Sequence, residues 1–167
     1  MALLAAAKAH RERDWLMILV SFWHGLRASE VVHFSADQVQ DGFLTIQRLK
    51  GSLKTVQPLV YRENPLLSER DALIDYASKT PPNQPVFKLS RRQFYNIVRR
   101  HCLSAGIPEH KAHPHILKHT IAMQTIHTAG IENVRQHLGH KSISSTGAYL
   151  KVTDSDASAA VARAVRL

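Results

Sequence analysis

The sequence predicts an α+β protein that is mainly α-helical and carries a small antiparallel β-sheet early in the chain. Apolar residues recur at helical spacing through most of the 167 residues. Only residues 43–47 and 55–59 alternate apolar and polar side chains, as half-buried strands do. The segment between them, residues 48–54, contains Gly51 and predicts a hairpin turn.

The elements of the first half follow in order. Residues 2–23 predict a long helix, which Gly25 ends before a second short helix over residues 28–33. The strand region has room for a short third strand. Residues 65–78 predict another helix, and the prolines of the 81–85 segment end it.

The second half of the sequence predicts helices and no strands. Ser90 is placed to cap a basic helix that runs to about residue 104, and Gly106 and Pro108 break the pattern after it. Gly130 and Gly139 stand where helices would end. The remaining predicted helices cover residues 114–128, 132–138, 142–150 and an alanine-rich 155–166. No repeat and no linker divides the chain, so one domain over residues 1–167 is expected.

Composition restricts the classes of partner. Lys and Arg number 22 against 13 Asp and Glu, for a net charge of +9, which favours a polyanion such as double-stranded DNA. No apolar run is long enough to span a membrane. The first residues lack the pattern of a secretory signal, and the single Cys102 allows no internal disulfide, so a cytoplasmic protein is expected.

Two sites in the first half have residues suited to phosphate chemistry. Arg27 lies between the Gly25 break and a helix start, where a guanidinium and free backbone N–H groups suit a phosphate. The alternative is an ion pair between Arg27 and Glu30. Lys50, in the hairpin turn, is placed to reach DNA and donate a proton, although most turn lysines are only solvated.

Two further sites lie in the second half. His115 and Lys118 share one face near a helix start, which suits an anion. The spacing of His115 and His119 also fits a metal, but the helix lacks the Glu of an H-E-x-x-H site, and no metal is predicted. Tyr149 follows Leu138-Gly139-His140, and taken alone it would be read as a core or surface aromatic.

Together and in this order, these motifs resemble the tyrosine recombinase (phage integrase) family from about Leu3 to Val161. The resemblance is carried by Gly25-Leu26-Arg27 with Glu30, Lys50-Gly51 leading to Pro58-Leu59, His115-x-Leu117-Lys118-His119-Thr120, and Leu138-Gly139-His140 with Tyr149 nine residues after His140. Arg48-Leu49-Lys50 and Arg92-Gln93-Phe94-Tyr95 are most similar to the short recombinases that invert fimbrial promoter elements.

The resemblance implies a DNA strand transferase that forms a phosphotyrosine intermediate without metal, ATP or any other cofactor. Tyr149 would be the nucleophile, and Arg27, Lys118 and His140 would stabilise the pentacoordinate phosphorus. Lys50 would protonate the departing 5′-oxygen, and His115 would accept the tyrosine proton. Glu30 would orient Arg27 or His115.

DNA binding and assembly are expected to involve other parts of the chain. The basic residues Arg91, Arg92, Arg99, Arg100 and Lys111 are candidates for DNA-backbone contacts. The tail of residues 157–167 resembles the segment that family members exchange between protomers. This implies a monomer in solution and a tetramer on paired DNA sites. The N-terminal core-binding domain usual in the family is expected to be absent.

One departure from the family pattern keeps other functions open. Lys118 stands where the family has a second Arg, and Lys keeps the charge but not the planar bidentate fork. A DNA-binding protein of the same fold with weakened cleavage is therefore the main alternative. A type IB topoisomerase and an unrelated basic helical protein are the others, and the Leu-Gly-His motif and the small size of the chain argue against the topoisomerase.

Overall fold

The computed structural model describes residues 1–48 and 53–147. Helices predominate in this part of the chain, and three strands form one antiparallel sheet early in the sequence, so the predicted α+β class is confirmed. Single 3-10 turns occur at Ala36–Gln38 and Glu109–Lys111. The elements are α1 (Ala2–His10), α2 (Glu12–Trp23), α3 (Ala28–His33), β1 (Val39–Gln40), β2 (Phe43–Ile46), β3 (Thr55–Pro58), α4 (Arg70–Ser78), α5 (Arg91–Ser104), α6 (His115–Ala129), α7 (Ile131–Leu138) and α8 (Ser144–Gly147).

The sheet has the strand order β1-β2-β3. β2 pairs with β3 from Phe43 opposite Pro58 to Ile46 opposite Thr55. The predicted alternation holds in β2, where Leu44 and Ile46 are buried and Phe43 is exposed. In β3 the polar Gln57 is buried and the apolar Val56 is exposed, because the Gln57 side chain bonds to His24 and to the His137 carbonyl. β1 is the short third strand. Of the predicted turn, residues 49–52 lie outside the described residues.

The single helix predicted over residues 2–23 is wrong, because the chain divides into α1 and α2 at Arg11. The Arg11 backbone is extended, with φ −163° and ψ 130°. The bend brings α1 back against α2 and α5, so that Leu4 and Ala7 are buried. A straight helix would have left these apolar side chains without a partner.

The helix predicted over residues 65–78 begins later, at Arg70. Glu69 is fully buried, and its carboxylate lies 2.7 Å from His24 Nε2. The Glu69 and Arg70 amides donate to the Val60 carbonyl instead of continuing a helix toward residue 65. Tertiary contacts therefore override the local helical pattern there.

The described helices of the second half lie close to their predicted bounds. Ser90 caps α5, since its hydroxyl accepts a hydrogen bond from the Gln93 amide at 3.2 Å. Gly130 ends α6 with φ 80°, and Gly139 ends α7 in the left-handed region with φ 68°. The helix predicted over residues 142–150 begins later, at Ser144, and its described part is α8. The helix predicted over residues 155–166 lies outside the described residues.

The buried apolar residues form two clusters. The larger cluster joins α1, α2, α3 and α5 to one face of the sheet, and it includes Trp15, Phe87, Phe94 and the free Cys102. The smaller one packs α6 and α7 against the end of α2. Within the described ranges, no helix combines the length and apolar character that a bilayer-crossing segment needs. This packing brings α3, the start of α6 and the end of α7 together.

Candidate active site

Arg27 is positioned by the sharp turn between α2 and α3. Gly25 has φ 56°, and a Cβ atom there would lie only 2.5 Å from Leu138 Cδ2, so the turn requires glycine. The Glu30 carboxylate accepts hydrogen bonds from the Arg27 backbone amide at 2.8 Å and from its Nη1 at 3.0 Å. The Arg27 side chain nevertheless remains 37% exposed. Glu30 therefore orients the Arg27 guanidinium, and the exposed part of the guanidinium can still bind an anion.

Arg48, which the sequence analysis did not assign to the site, lies beneath this turn. Its side chain is fully buried and donates to Glu30 Oε2 at 3.1 Å and to the backbone carbonyls of Gly25, His24 and His137 at 3.1, 2.9 and 2.8 Å. These bonds join the α2–α3 turn to the end of α7. An Arg directly after a strand carries no local signal of burial, so only its distant partners reveal the role.

The charge of Glu30 is maintained by its surroundings. Burial raises the pKa of this carboxyl group, but the hydrogen bond from the Arg27 amide and the charges of Arg48, Lys118 and Arg27 outweigh burial. The net effect holds the Glu30 pKa below its usual value. Glu30 is therefore an anion that ties two arginines together.

Lys118 lies on α6 behind Arg27 and is almost completely buried, with 1% of the residue exposed. Its Nζ donates to the Leu138 carbonyl at 3.0 Å. Burial, followed by the positive charges of Arg48 and Arg27, lowers the pKa of Lys118 to about 7, although Glu30 opposes the shift. The ammonium thus lies inside a cluster of positive charge and loses its proton far more easily than a surface lysine.

His115 is the first residue of α6, and its side chain reaches solvent. Surrounding protein atoms still desolvate the imidazole in part, and this desolvation, with the nearby charges of Lys118 and Arg27, lowers its pKa. A histidine in this state is neutral at physiological pH and can accept a proton.

His140 follows α7 and is 8% exposed. Burial and the charges of Lys118, Arg27 and Arg48 lower its pKa to about 4, so the ring is neutral at physiological pH. Its Nδ1 lies 3.0 Å from the hydroxyl of Thr146, a buried residue of α8. If the hydroxyl donates to Nδ1, the ring carries its proton on Nε2 and can donate it to an anion.

An open cavity of about 710 Å³ lies in front of these residues. Arg27 from α3 and His115 from α6 line it together with Arg91, Arg92 and Tyr95 from the start of α5. Lys118 and His140 are buried and do not line the cavity. Arg27, His115, Lys118 and His140 are therefore close enough for the charge of one to shift the pKa of another.

The remaining predicted residues are placed differently. Arg99 pairs with Glu109, and Arg99 and Arg100 line a separate depression further along α5. Lys111 is exposed on the 3-10 turn before α6. Lys50 and Tyr149, together with residues 157–167, lie outside the described residues.

Comparison with known proteins identifies a family that the chain is similar to. The model of the phage integrase family matches residues 1–156. The type 1 fimbriae regulatory protein FimE of Escherichia coli K12 is 30% identical over 146 residues, which cover 82% of this chain and 73% of FimE.

Two solved structures show the same fold. XerH site-specific recombinase bound to its difH substrate superposes with a TM-score of 0.77 at 19% identity, over 96% of this chain but only 51% of XerH. The catalytic domain of bacteriophage HP1 integrase gives a TM-score of 0.67 at 25% identity, over 96% of this chain and 88% of that domain. The chain thus spans about half the length of XerH and most of the HP1 domain. On the family match and the likeness to FimE, the chain belongs to the phage integrase family.

Proposed function

We propose that this protein is a site-specific DNA recombinase that cleaves and rejoins DNA strands through a 3′-phosphotyrosyl bond to Tyr149, without metal or ATP. One observation carries the proposal: Arg27, the α6 residues His115 and Lys118, and His140 come from three separate segments and lie close together beside an open, basic cavity. Cytoplasmic location remains part of the proposal.

The cluster suits the charge that develops on phosphorus. When the tyrosine oxygen attacks a phosphodiester, the non-bridging oxygens gain negative charge, and fixed donors lower the barrier. Arg27 presents an exposed guanidinium that Glu30 orients. Lys118 supplies a buried charge, and His140 supplies a neutral N–H donor. Removal of one such donor typically lowers the rate by about a hundredfold or more.

The proposed proton donor, Lys50, belongs to the segment between Arg48 and Leu53. Both of these flanking residues contact Gly139: the Leu53 amide donates to its carbonyl at 3.2 Å, and the Arg48 side chain packs against its Cα. Gly139 precedes His140 directly. The contacts of both flanks support a role for Lys50 at the leaving 5′-oxygen.

The proposed nucleophile, Tyr149, follows Thr146 by three residues in the sequence. Thr146 is buried and contacts His140, so α8 is anchored to the cluster just before the tyrosine. Neutral His115 is the proposed proton acceptor for the phenol. A phosphotyrosine ester conserves the energy of the broken phosphodiester, so the released 5′-hydroxyl can reverse the step or join a partner strand.

The trapping experiment uses nicked duplexes whose sequences are selected for binding to the native chain. Cleavage next to a nick releases a short fragment, so the covalent intermediate accumulates and is seen as a protein–DNA band in a denaturing gel. The native chain is expected to form this band, and Tyr149→Phe is expected to form none. Equal trapping by both proteins would refute Tyr149 as the nucleophile.

A weakened enzyme that mainly binds DNA is the second candidate, and the setting of Lys118 favours it. The Nζ atom donates to a backbone carbonyl, and its pKa of about 7 leaves it uncharged in a large fraction of molecules at neutral pH. If this candidate is right, Lys118→Arg will trap DNA much faster than the native chain, while both proteins bind the duplex equally.

We further propose that DNA lies across the cavity and contacts Arg91 and Arg92. Both are exposed beside Arg27, whereas Arg99 pairs with Glu109 away from the cavity. Arg91→Gln is expected to reduce the salt dependence of DNA binding by about one counterion, and the control Arg99→Gln much less. Fluorescence anisotropy between about 50 and 200 mM salt measures both slopes. An unchanged slope for Arg91→Gln would remove this residue from the interface.

We propose a monomer in solution and a tetramer on paired DNA sites, held by exchange of residues 157–167 between protomers. Deletion of these residues should leave single-site binding intact and abolish the slow-migrating complex of two paired sites in a native gel. A truncated chain that still pairs sites normally would contradict the exchange.

A further inference from the structure

Three side chains that the proposed DNA chemistry does not use converge where α1, α2 and α5 meet. His10 ends α1, Asp14 lies in the first turn of α2, and His101 lies near the end of α5. His10 Nδ1 is 3.6 Å and His101 Nε2 is 3.2 Å from the same oxygen, Asp14 Oδ2. We propose that these three atoms form a binding site for a divalent transition-metal ion of the zinc class.

The spacing of the three atoms fits such an ion. Zinc binds histidine nitrogen and carboxylate oxygen at about 2.0–2.2 Å with tetrahedral geometry, which places neighbouring ligand atoms about 3.4 Å apart. The two measured separations lie on either side of this value, and all three atoms are within 4.8 Å of one another. Small side-chain rotations would complete the geometry.

The two oxygens of the Asp14 carboxylate have different partners, and this difference favours metal binding. Arg13 donates from Nε and Nη2 to Oδ1 of Asp14 at 3.1 and 2.8 Å. This pair of bonds fixes the carboxylate plane and leaves Oδ2 facing the two imidazoles. The Arg13 charge weakens attraction for a cation, so the site is expected to bind an exchangeable ion rather than a permanently held one.

The three side chains differ in burial, so that two of them are held rigidly and the third is accessible to an ion from solvent. Asp14 and His101 are almost fully buried, whereas the His10 side chain is 47% exposed. An ion can therefore enter from the His10 side and keep a water molecule as its fourth ligand. Because the ligands come from three helices, the bound ion would hold the α1–α2 pair against α5.

The test adds Co²⁺ or Zn²⁺ to the 167-residue chain in a titration. The chain is produced without a histidine tag and is first freed of metal with a chelator. Co²⁺ at a site with these ligands gives visible absorption bands, and calorimetry gives the stoichiometry. One ion per chain is expected. His10→Ala should weaken binding by at least about tenfold, and it should fold because His10 is largely exposed. His127→Ala, which alters an exposed histidine on α6, should bind as the native chain does.

Two further measurements separate a metal site from a plain ion-pair network. Zn²⁺ should raise the thermal midpoint of the native chain and of His127→Ala but not that of His10→Ala, because a ligand stabilises only the folded state that binds it. Arg13→Gln should tighten binding, since it removes the competing positive charge. The proposal is overturned if no saturable binding occurs, or if His10→Ala and His127→Ala bind alike. Neither readout depends on DNA cleavage.

Discussion

The buried lysine of the cluster makes the pH dependence of cleavage a direct test of the site. Lys118 has a pKa of about 7 because burial and the charges of Arg48 and Arg27 disfavour its ammonium form. If this ammonium stabilises the transition state, cleavage must fall as pH rises through 7. Lys118→Arg replaces it with a guanidinium, which stays protonated throughout the accessible range.

The size of the effect follows from the pKa. A group with a pKa of about 7 is about 90% protonated at pH 6 and about 10% protonated at pH 8, so its contribution to kcat/KM falls about tenfold over this interval. The lowered pKa of His115 adds a rising limb on the acid side, because the neutral ring is the proton acceptor. In the DNA complex the phosphate charge raises the Lys118 pKa again, so kcat should fall less steeply than kcat/KM.

The same shift predicts how stability depends on pH. The folded chain binds the Lys118 proton less tightly than the unfolded chain does, so folding is penalised at pH values below 7, and the penalty fades as pH rises from 7 toward 10.5. The full penalty is about 5 kcal/mol at most. Lys118→Met should therefore abolish cleavage yet raise the free energy of unfolding more at pH 6 than at pH 9.

The assay measures the rate of covalent trapping on nicked duplexes from pH 5.5 to 9, at fixed ionic strength, for the native chain and Lys118→Arg. Urea unfolding at pH 6 and 9 compares the native chain with Lys118→Met. The reasoning is refuted if the native chain shows no falling limb near pH 7. It is also refuted if Lys118→Arg retains that limb unchanged.

Two further substitutions test how the cluster is built. Gly139→Ala places a methyl group 2.8 Å from Arg48 Cγ at φ 68°, and it should lower the free energy of unfolding by about 1–3 kcal/mol more than Gly106→Ala. Gly106 also has a positive φ, but an added Cβ atom there would have open space around it. Equal losses of unfolding free energy for Gly139→Ala and Gly106→Ala, measured with urea, would therefore disprove the clash with Arg48. Thr146→Val removes the partner of His140 Nδ1 and should slow trapping about tenfold, as a lost buried hydrogen bond of about 1–3 kcal/mol implies. Unchanged trapping, with DNA affinity and melting also unchanged, would remove Thr146 from the positioning of His140.

Much of the fold could be read from local pattern. The Ser90 cap, the glycines that end α6 and α7, and the alternation in β2 each follow from residue types a few positions apart in the sequence. The wrong predictions lie where contacts with residues far away in the sequence determine the backbone conformation. Arg11 is extended because α1 packs back on α2, and residues 65–69 are not helical because Glu69 bonds to His24 and Val60.

The candidate site shows the same division. The resemblance to the phage integrase family selected Arg27, His115, Lys118 and His140, and the structure brings these four residues close together. Arg48 and Thr146 were missed, because an arginine after a strand and a threonine in a serine-rich segment have no local mark of their role. Arg48 acts through bonds to Glu30 and to three backbone carbonyls of distant segments, and Thr146 acts through its contact with His140.

The sequence by itself determined the fold class, most of the helices, the basic character and the family motifs, because these depend on residue type and short spacing. Only the tertiary structure decided that Lys118 is buried, that His140 is neutral, and that Arg48 joins the α2–α3 turn to α7. The physical reason is that desolvation and charge–charge interaction depend on distances in space. Those distances are set by how α3, α6 and α7 pack, and no single segment encodes them.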